Sequence, residues 1–154
     1  MSDDSEQFFK EMLLMYNAHR LYSIRRFNTL GLTSGQPKVL HILFEEEGYL
    51  QKDLASKCRV EPATMTSLLS KMEKQNLIQK ETVYVSGGKR AYSIYLTDFG
   101  RKIAKQVVNI TTEADRIATN GMTEDERQTF FGMMRQARCN LSQLNDDWEG
   151  EWNA

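Results

Sequence analysis

Large side chains recur at helical spacing towards both ends of the chain. Over residues 5–28 one stripe consists of Phe8, Met12, Met15, His19 and Tyr22, apolar except for the histidine. Two later stretches repeat the pattern. Over residues 97–119 the seam consists of Ile103, Val107, Ile110, Ala114 and Ile117. In the last predicted helix it consists of Phe130, Met134, Ala137, Leu141, Leu144 and Trp148. Alternating steps of four and three predict three long helices with apolar seams.

The middle of the chain predicts shorter elements. A helix is expected to begin near Thr33 and Gln36, which have capping-box spacing, and two more over 51–58 and 62–75. The period then changes to two over 78–85 and 91–96. Between these stretches lies the turn signal Ser86-Gly87-Gly88-Lys89, so the pattern predicts a β-hairpin.

The order helix, short turn, helix, hairpin is that of a winged helix-turn-helix. We therefore expect a mainly α-helical fold with a small β-hairpin wing. The winged helix would span 31–97, and residues 1–30 with 98–154 would form long terminal dimerisation helices. The seams of these helices could close within one subunit. They are, however, too broadly apolar for a single small bundle, so we expect a homodimer.

Composition narrows the class of protein. The 154 residues are 40% apolar and 27% charged, which is ordinary for a folded domain. Cys58 and Cys139 have neither metal-ligand spacing nor the number needed for a disulfide framework, so no metal or cofactor is expected. No apolar run approaches the roughly 18 residues of a membrane span. The acidic first residues are unlike a secretory signal, so we expect a cytoplasmic protein without a membrane partner.

The net charge of −1 conceals an uneven distribution. Residues 51–105 carry eleven basic and five acidic side chains, a net +6, whereas the remainder carries −7. A basic middle favours a polyanionic partner, and the short outer side chains predicted for helix 62–75 suit the major groove of double-stranded DNA. The candidate DNA contacts are Ala63, Thr64, Thr66, Ser67, Ser70 and Lys71 on this helix, and Lys89 and Arg90 in the wing.

Six short segments follow one another in a specific order. They are Leu32-Thr33-x-x-Gln36-x-x-Val39-Leu40, Asp53-Leu54-Ala55, Ala63-Thr64-Met65-Thr66-Ser67-Leu68, Leu77-Ile78-Gln79-Lys80, Lys89-Arg90-Ala91 and Leu96-Thr97-Asp98-Phe99-Gly100. Together they resemble the MarR family of bacterial transcriptional regulators. The resemblance implies a homodimer with interlocking terminal helices, paired winged helices on a pseudo-palindromic operator, and control by a small-molecule effector or an oxidant. We expect a repressor, and the sequence leaves activation open as the alternative.

The chain departs from the family pattern at three positions. Gly88 stands where the wing usually has an Asp that holds the following Arg, so Arg90 is expected to be less restrained. Ser67 stands where Arg is common, which removes an expected phosphate or base contact. Gln51 replaces a good capping residue ahead of its helix.

The resemblance also implies a ligand site between the dimerisation helices and the winged helix, here near Met15, His19, Tyr22, Val39 and Leu43. His19 has two interpretations: a core or interface histidine with one hydrogen bond, or a polar contact to the effector. Cys58 falls on the buried face of its helix and is interpreted as a small apolar residue. For Cys139, in the last helix, a reactive thiol is the alternative to an ordinary one.

An enzyme is the main rival class. The chain has no P-loop, dinucleotide fingerprint, His-Glu-x-x-His or Gly-x-Ser-x-Gly motif, and it has only two His, so no enzymatic activity is expected. A winged helix that binds proteins without DNA is the other alternative, because the fold serves both uses. Salt dependence separates the two, since DNA binding weakens steeply as salt rises.

Overall fold

The computed structural model describes residues 6–143 and is mainly helical. Its elements are α1 (Gln7–Thr29), α2 (Gln36–Glu45), β1 (Tyr49–Leu50), α3 (Gln51–Cys58), α4 (Pro62–Lys74), β2 (Ile78–Val85), β3 (Lys89–Leu96), α5 (Asp98–Ala118) and α6 (Glu124–Ser142). The expected mainly α-helical fold with a β-hairpin wing is confirmed. Residue 5, the predicted start of the first helix, and the seam residues Leu144 and Trp148 lie outside the described residues. Between residues 6 and 143 no helix is long and apolar enough to cross a bilayer.

One hydrophobic core joins α2, α3, α4, the strands and the first half of α5. Its large, fully buried apolar side chains are Val39, Leu40, Leu43, Leu54, Met65, Leu69, Met72, Ile78, Ile94 and Val107. Removal of this surface from water is the main stabilising contribution to the winged helix. Phe44 and Leu68 are partly buried against this core. The seam predicted for α5 also packs into it, through Ile103 and Val107.

The wing is the antiparallel hairpin that the change of period predicted. Val85 lies opposite Lys89 at its tip, and Ser86–Gly88 forms a short 3-10 turn between them. Gly87 and Gly88 have φ angles of 79° and 70°, a left-handed conformation that glycine adopts without strain. A third strand, β1, pairs with β3 and gives the order β1-β3-β2. It was not predicted, because two residues are too few to show a period.

Capping-box spacing occurs in the sequence at Thr33 with Gln36 and at Thr123 with Glu126, and the two sites differ in outcome. At α6 both halves form: Thr123 Oγ1 accepts from the Glu126 N–H at 3.3 Å, and the Thr123 N–H donates to Glu126 Oε2 at 2.8 Å. At α2 one half forms, since the Thr33 N–H donates to Gln36 Oε1 at 2.9 Å while Gly35 occupies the N-cap. The Gln36 side chain also donates a hydrogen bond to Gln75, 39 positions further along the chain.

Thr97 and Gly100 join the start of α5 to the base of the hairpin. Thr97 Oγ1 accepts from the Gly100 N–H at 2.8 Å and donates to the carbonyl of Asn76 at 2.6 Å. The Thr97 N–H donates to the Leu77 carbonyl at 3.1 Å. A Cβ on residue 100 would lie 1.7 Å from that carbonyl oxygen, so this close contact requires glycine.

The first and last helices bury little of their apolar surface within the chain, which divides into two compact units after Ala114. In the first unit, α1 buries Ser23 but exposes Phe8, Phe9, Met12, Leu13, Leu14, Met15, Tyr16, Leu21 and Ile24. In the second unit, no residue of Glu124–Ser142 is buried, and α6 exposes Met133, Met134 and Leu141. Each of these two helices presents its seam to solvent in the single chain.

Cys58 lies in the core at the end of α3 and is 2% exposed. Burial raises the pKa of its thiol from 9.0 to about 11, although the nearby Lys38 ammonium acts in the opposite direction. The thiolate is the reactive form, so the thiol is inert near neutral pH. Because the folded pKa lies above the unfolded one, the stability that the neutral thiol contributes is present below about pH 9 and is lost as pH rises through about 11.

We predict that Cys58 resists alkylation in the folded protein. In a Cys139→Ser variant, which leaves Cys58 as the chain's remaining thiol, iodoacetamide should label almost no protein near neutral pH and label all of it in concentrated urea. Mass spectrometry gives the labelled fraction. Equal labelling rates in the folded and the unfolded protein would contradict the assignment of Cys58 to the core.

Candidate nucleic-acid interface

The turn between α3 and α4 orients the second helix. Arg59 ends α3 with a left-handed φ of 54°, and Pro62 begins α4, where a missing N–H does no harm. Met65, Leu69 and Met72 are 0% exposed and follow one another at steps of four and three, so they bury one face of α4. The opposite face of the helix must then point to solvent.

All six candidate residues of α4 lie on its accessible side. Ala63, Thr64, Thr66, Ser67 and Lys71 are exposed, and Ser70 is partly buried. Five of these six side chains are short, so another molecule can approach the helix backbone closely. The structure thus brings together the helix residues that the sequence singled out.

Thr66 has less hydrogen-bonding capacity left than its exposure suggests. Its Oγ1 donates to the Pro62 carbonyl at 3.0 Å and accepts from Gln51 Nε2 at 2.8 Å. One lone pair and the methyl group of Thr66 therefore remain for a ligand. Gln51 is the first residue of α3, not its N-cap, and its amide ties α3 to α4. Sequence reasoning missed this role because the contact joins residues that are 15 positions apart.

A partly buried pair of side-chain amides joins the end of α4 to the start of α2. Gln36 is 0% exposed, and its Nε2 donates to Gln75 Oε1 at 2.6 Å. On the same side Lys71 Nζ donates to Thr33 Oγ1 at 3.3 Å, which directs the Lys71 ammonium towards the α1–α2 loop. Buried polar groups are costly unless paired, so these contacts favour one orientation of α4.

The wing presents Lys89 and Arg90, and both are exposed. Arg90 lies opposite Tyr84 in the hairpin register, and its guanidinium carbon is 5.2 Å from the centroid of the Tyr92 ring. Tyr84 is 76% exposed, an aromatic ring beside the basic tip that sequence reasoning did not single out. The contact of Arg90 with the Tyr92 ring was not foreseen from the sequence, and the expectation that Gly88 leaves Arg90 less restrained than an Asp would stays a prediction.

Glu47 attaches the wing to the first turns of α5. Its Oε1 accepts from the Leu96 N–H at 2.9 Å, and its Oε2 accepts from Arg101 Nη2 at 2.7 Å. Lys57 Nζ donates to the Tyr49 hydroxyl at 2.6 Å, and this hydrogen bond raises the pKa of Lys57. Both contacts reduce the freedom of the hairpin relative to the helices.

The five residues expected near an effector differ widely in burial. Val39 and Leu43 are fully buried, whereas Met15 and His19 are exposed. Tyr22 is partly buried, with the Arg26 guanidinium 3.5 Å from its ring centroid. An open cleft at the base of the wing has a different lining: Asn76, Gln79, Leu96, Thr97, Asp98, Phe99 and Lys102. The effector site stays a prediction.

No metal centre is formed by the part of the chain that the structure describes. Between residues 6 and 143 no three His, Cys, Asp or Glu side chains lie close enough together to hold a metal ion. The candidate interface consists instead of the α4 face with short polar side chains and the basic tip of the hairpin.

Comparison with known proteins identifies relatives of similar length. The model of the MarR family matches residues 32–82. The HTH-type transcriptional regulator MgrA of Staphylococcus aureus is 32% identical over 133 residues, which cover 82% of this chain and 86% of MgrA. YybA of Bacillus subtilis strain 168, an uncharacterized HTH-type transcriptional regulator, is 28% identical over 80% of this chain and 79% of its own. These names are those of regulators and not of enzymes, as the sequence motifs predicted.

Solved structures share the fold. A crystal structure of MarR superposes with a TM-score of 0.74 at 23% identity, over 96% of this chain and 99% of the other. The protein chain of an S. aureus MepR–DNA complex superposes with a TM-score of 0.74 at 19% identity, over 88% of this chain and 98% of the other. With the family model on its winged helix and a relative 32% identical over most of both chains, this protein belongs to the MarR family of transcriptional regulators.

Proposed function

We propose that this chain is a homodimeric repressor that binds double-stranded DNA sequence-specifically through α4 and the wing. The observation that carries the proposal is the accessible face of α4, where short polar side chains lie opposite a fully buried apolar face. The similarity of its fold to the protein chain of a MepR–DNA complex supports DNA as the partner.

In this proposal α4 enters the major groove. An α-helix fits a groove about 12 Å wide, and its N-terminal residues come nearest to the base edges. Ala63, Thr64 and Ser67 are short enough to let the helix approach, and the Thr66 methyl group can contact a thymine methyl. Lys71, further along the helix, is suited to the phosphate backbone.

The wing would contact the adjacent minor groove. Lys89 and Arg90 are exposed at the tip of the hairpin, and a narrow minor groove attracts cations. The net +6 of residues 51–105 supports binding to a polyanion, because each phosphate neutralised by Lys or Arg releases counterions.

The homodimer is supported by the apolar surface that the single chain exposes. Residues 1–30 and 98–154 would form the dimerisation region, and 31–97 the DNA-binding unit. Nine large apolar side chains of α1 are exposed, far more than scattered surface residues require. Two-fold symmetry would place one α4 in each of two half-sites about 34 Å apart along the duplex, which calls for a pseudo-palindromic operator.

Regulation is the finer part of the proposal. A bound dimer would repress transcription by occupying an operator in the cytoplasm. A small-molecule effector would bind where the dimerisation helices meet the winged helix, near Met15, His19, Tyr22, Val39 and Leu43, and would shift the population between DNA-binding and non-binding conformations.

The test is selection of binding sites from a random-sequence duplex library with purified protein. We expect enrichment of one motif with two-fold symmetry and half-sites about one helical turn apart. A library that stays unenriched even in dilute salt would contradict DNA binding. Binding to a protein partner that hardly changes with salt would then favour the interaction module.

Arg90→Ala should weaken binding to the selected duplex and reduce the slope of log affinity against log salt by about one charge. Titration by fluorescence anisotropy at several salt concentrations measures both quantities. Arg25→Ala, which removes an exposed arginine of α1 outside residues 51–105, is the matched control and should leave both nearly unchanged. If Arg90→Ala behaves like this control, the wing does not contact DNA.

Met12→Glu should dissociate the dimer. It would place a carboxylate in the α1 seam, and an unpaired charge in an apolar interface costs about 3 kcal/mol or more, which is about a hundredfold in the dimer dissociation constant. Analytical ultracentrifugation measures the mass. Asn17→Glu is the control, because Asn17 is already an exposed polar residue of α1. A monomeric wild type would refute the dimer outright.

A further inference from the structure

On one face of the wing an aromatic ring lies between two cations. The guanidinium carbon of Arg90 is 5.2 Å from the centroid of the Tyr92 ring, and Lys80 Nζ is 5.9 Å from the same centroid. Arg90 and Tyr92 are two residues apart on β3, and Lys80 lies opposite Ile94, the next residue on that face. The alternation of a β-strand therefore puts all three side chains on one side of the hairpin.

The Tyr92 ring is held in place by packing, whereas the Arg90 side chain is not. Tyr92 is partly buried and packs against the hydrophobic core, whereas Arg90 is exposed. Lys80 is 15% exposed, and its Nζ lies 3.5 Å from Glu73 Oε2 on α4. A continuous series of contacts thus runs from α4 through Lys80 and Tyr92 to Arg90 at the tip.

Across the hairpin Arg90 lies opposite Tyr84. Towards the tip, residues 87 and 88 are glycines, which have no side chain to hold a guanidinium. An arginine that enters a groove from a mobile state loses rotamer freedom, and that loss weakens binding. A stack on a fixed ring removes part of this freedom before DNA arrives. It engages the flat face of the guanidinium, so the N–H groups in its plane stay directed outward to acceptors.

We infer that Tyr92 is the positioning residue for Arg90 in DNA binding. The inference rests on the proposed function and adds to it a residue that does not itself touch the nucleic acid. Tyr92 holds the guanidinium at the tip, in register with α4, so that both elements meet the duplex together.

The experiment is a double-mutant cycle on the duplex recovered by selection, with dissociation constants from fluorescence anisotropy at one salt concentration. Tyr92→Leu should weaken binding about two- to five-fold, the range expected for an exposed cation–π contact. Tyr92→Phe keeps the ring and is the matched control, so its affinity should stay close to that of the wild type. In an Arg90→Ala background Tyr92→Leu should have no further effect, because the side chain that it positions is gone.

Four results would overturn the inference. Equal weakening by Tyr92→Leu in both backgrounds would mean that the ring merely supports the hairpin. If Tyr92→Leu leaves the affinity unchanged, the stack plays no part in DNA binding. If Tyr92→Leu raises the affinity, the stack keeps Arg90 away from DNA. If Arg90→Ala itself has no effect, the proposed wing contact fails together with this inference, while affinity of the wild type for the duplex would still support binding through α4.

Discussion

The two faces of α4 are set by one constraint, the complete burial of its apolar side. Met65, Leu69 and Met72 are 0% exposed, and a helix that rotated by one residue would bring polar groups into the core without partners. Burial on one side therefore decides which residues the other side presents. The turn from Arg59 to Pro62 connects α3 to α4 in this position.

Polar contacts then limit the remaining freedom of the elements around that core. The Gln36–Gln75 amide pair joins α2 to the end of α4, and Glu47 joins the hairpin to α5. Each links segments that are distant in sequence and would leave a buried or partly buried group unsatisfied if broken. As a result α4 and the base of the wing are each tied to neighbouring elements, which the proposed contact with two adjacent grooves requires.

The first and last helices show the opposite situation. Ser23 is the buried residue of Gln7–Thr29, and Glu124–Ser142 has none, although both helices carry large apolar side chains. Hydrophobic surface of this extent is stable in water only when another surface covers it. We propose a second copy as the cover, because symmetric pairing also sets the distance between two reading helices.

The local sequence pattern determined most of the fold and decided which residues lie on the exposed face of α4. Steps of three and four defined the helices, the change to a period of two defined the hairpin, and Thr123 with Glu126 marked a helix start, because these signals depend on neighbours in the chain. Only the tertiary structure decided the contacts between distant segments. Gln51 meets Thr66 across 15 positions and Glu47 meets Leu96 across 49, and neither contact has a sequence period. β1 likewise could not be predicted from the sequence, because a two-residue strand exists only where a neighbouring strand pairs with it.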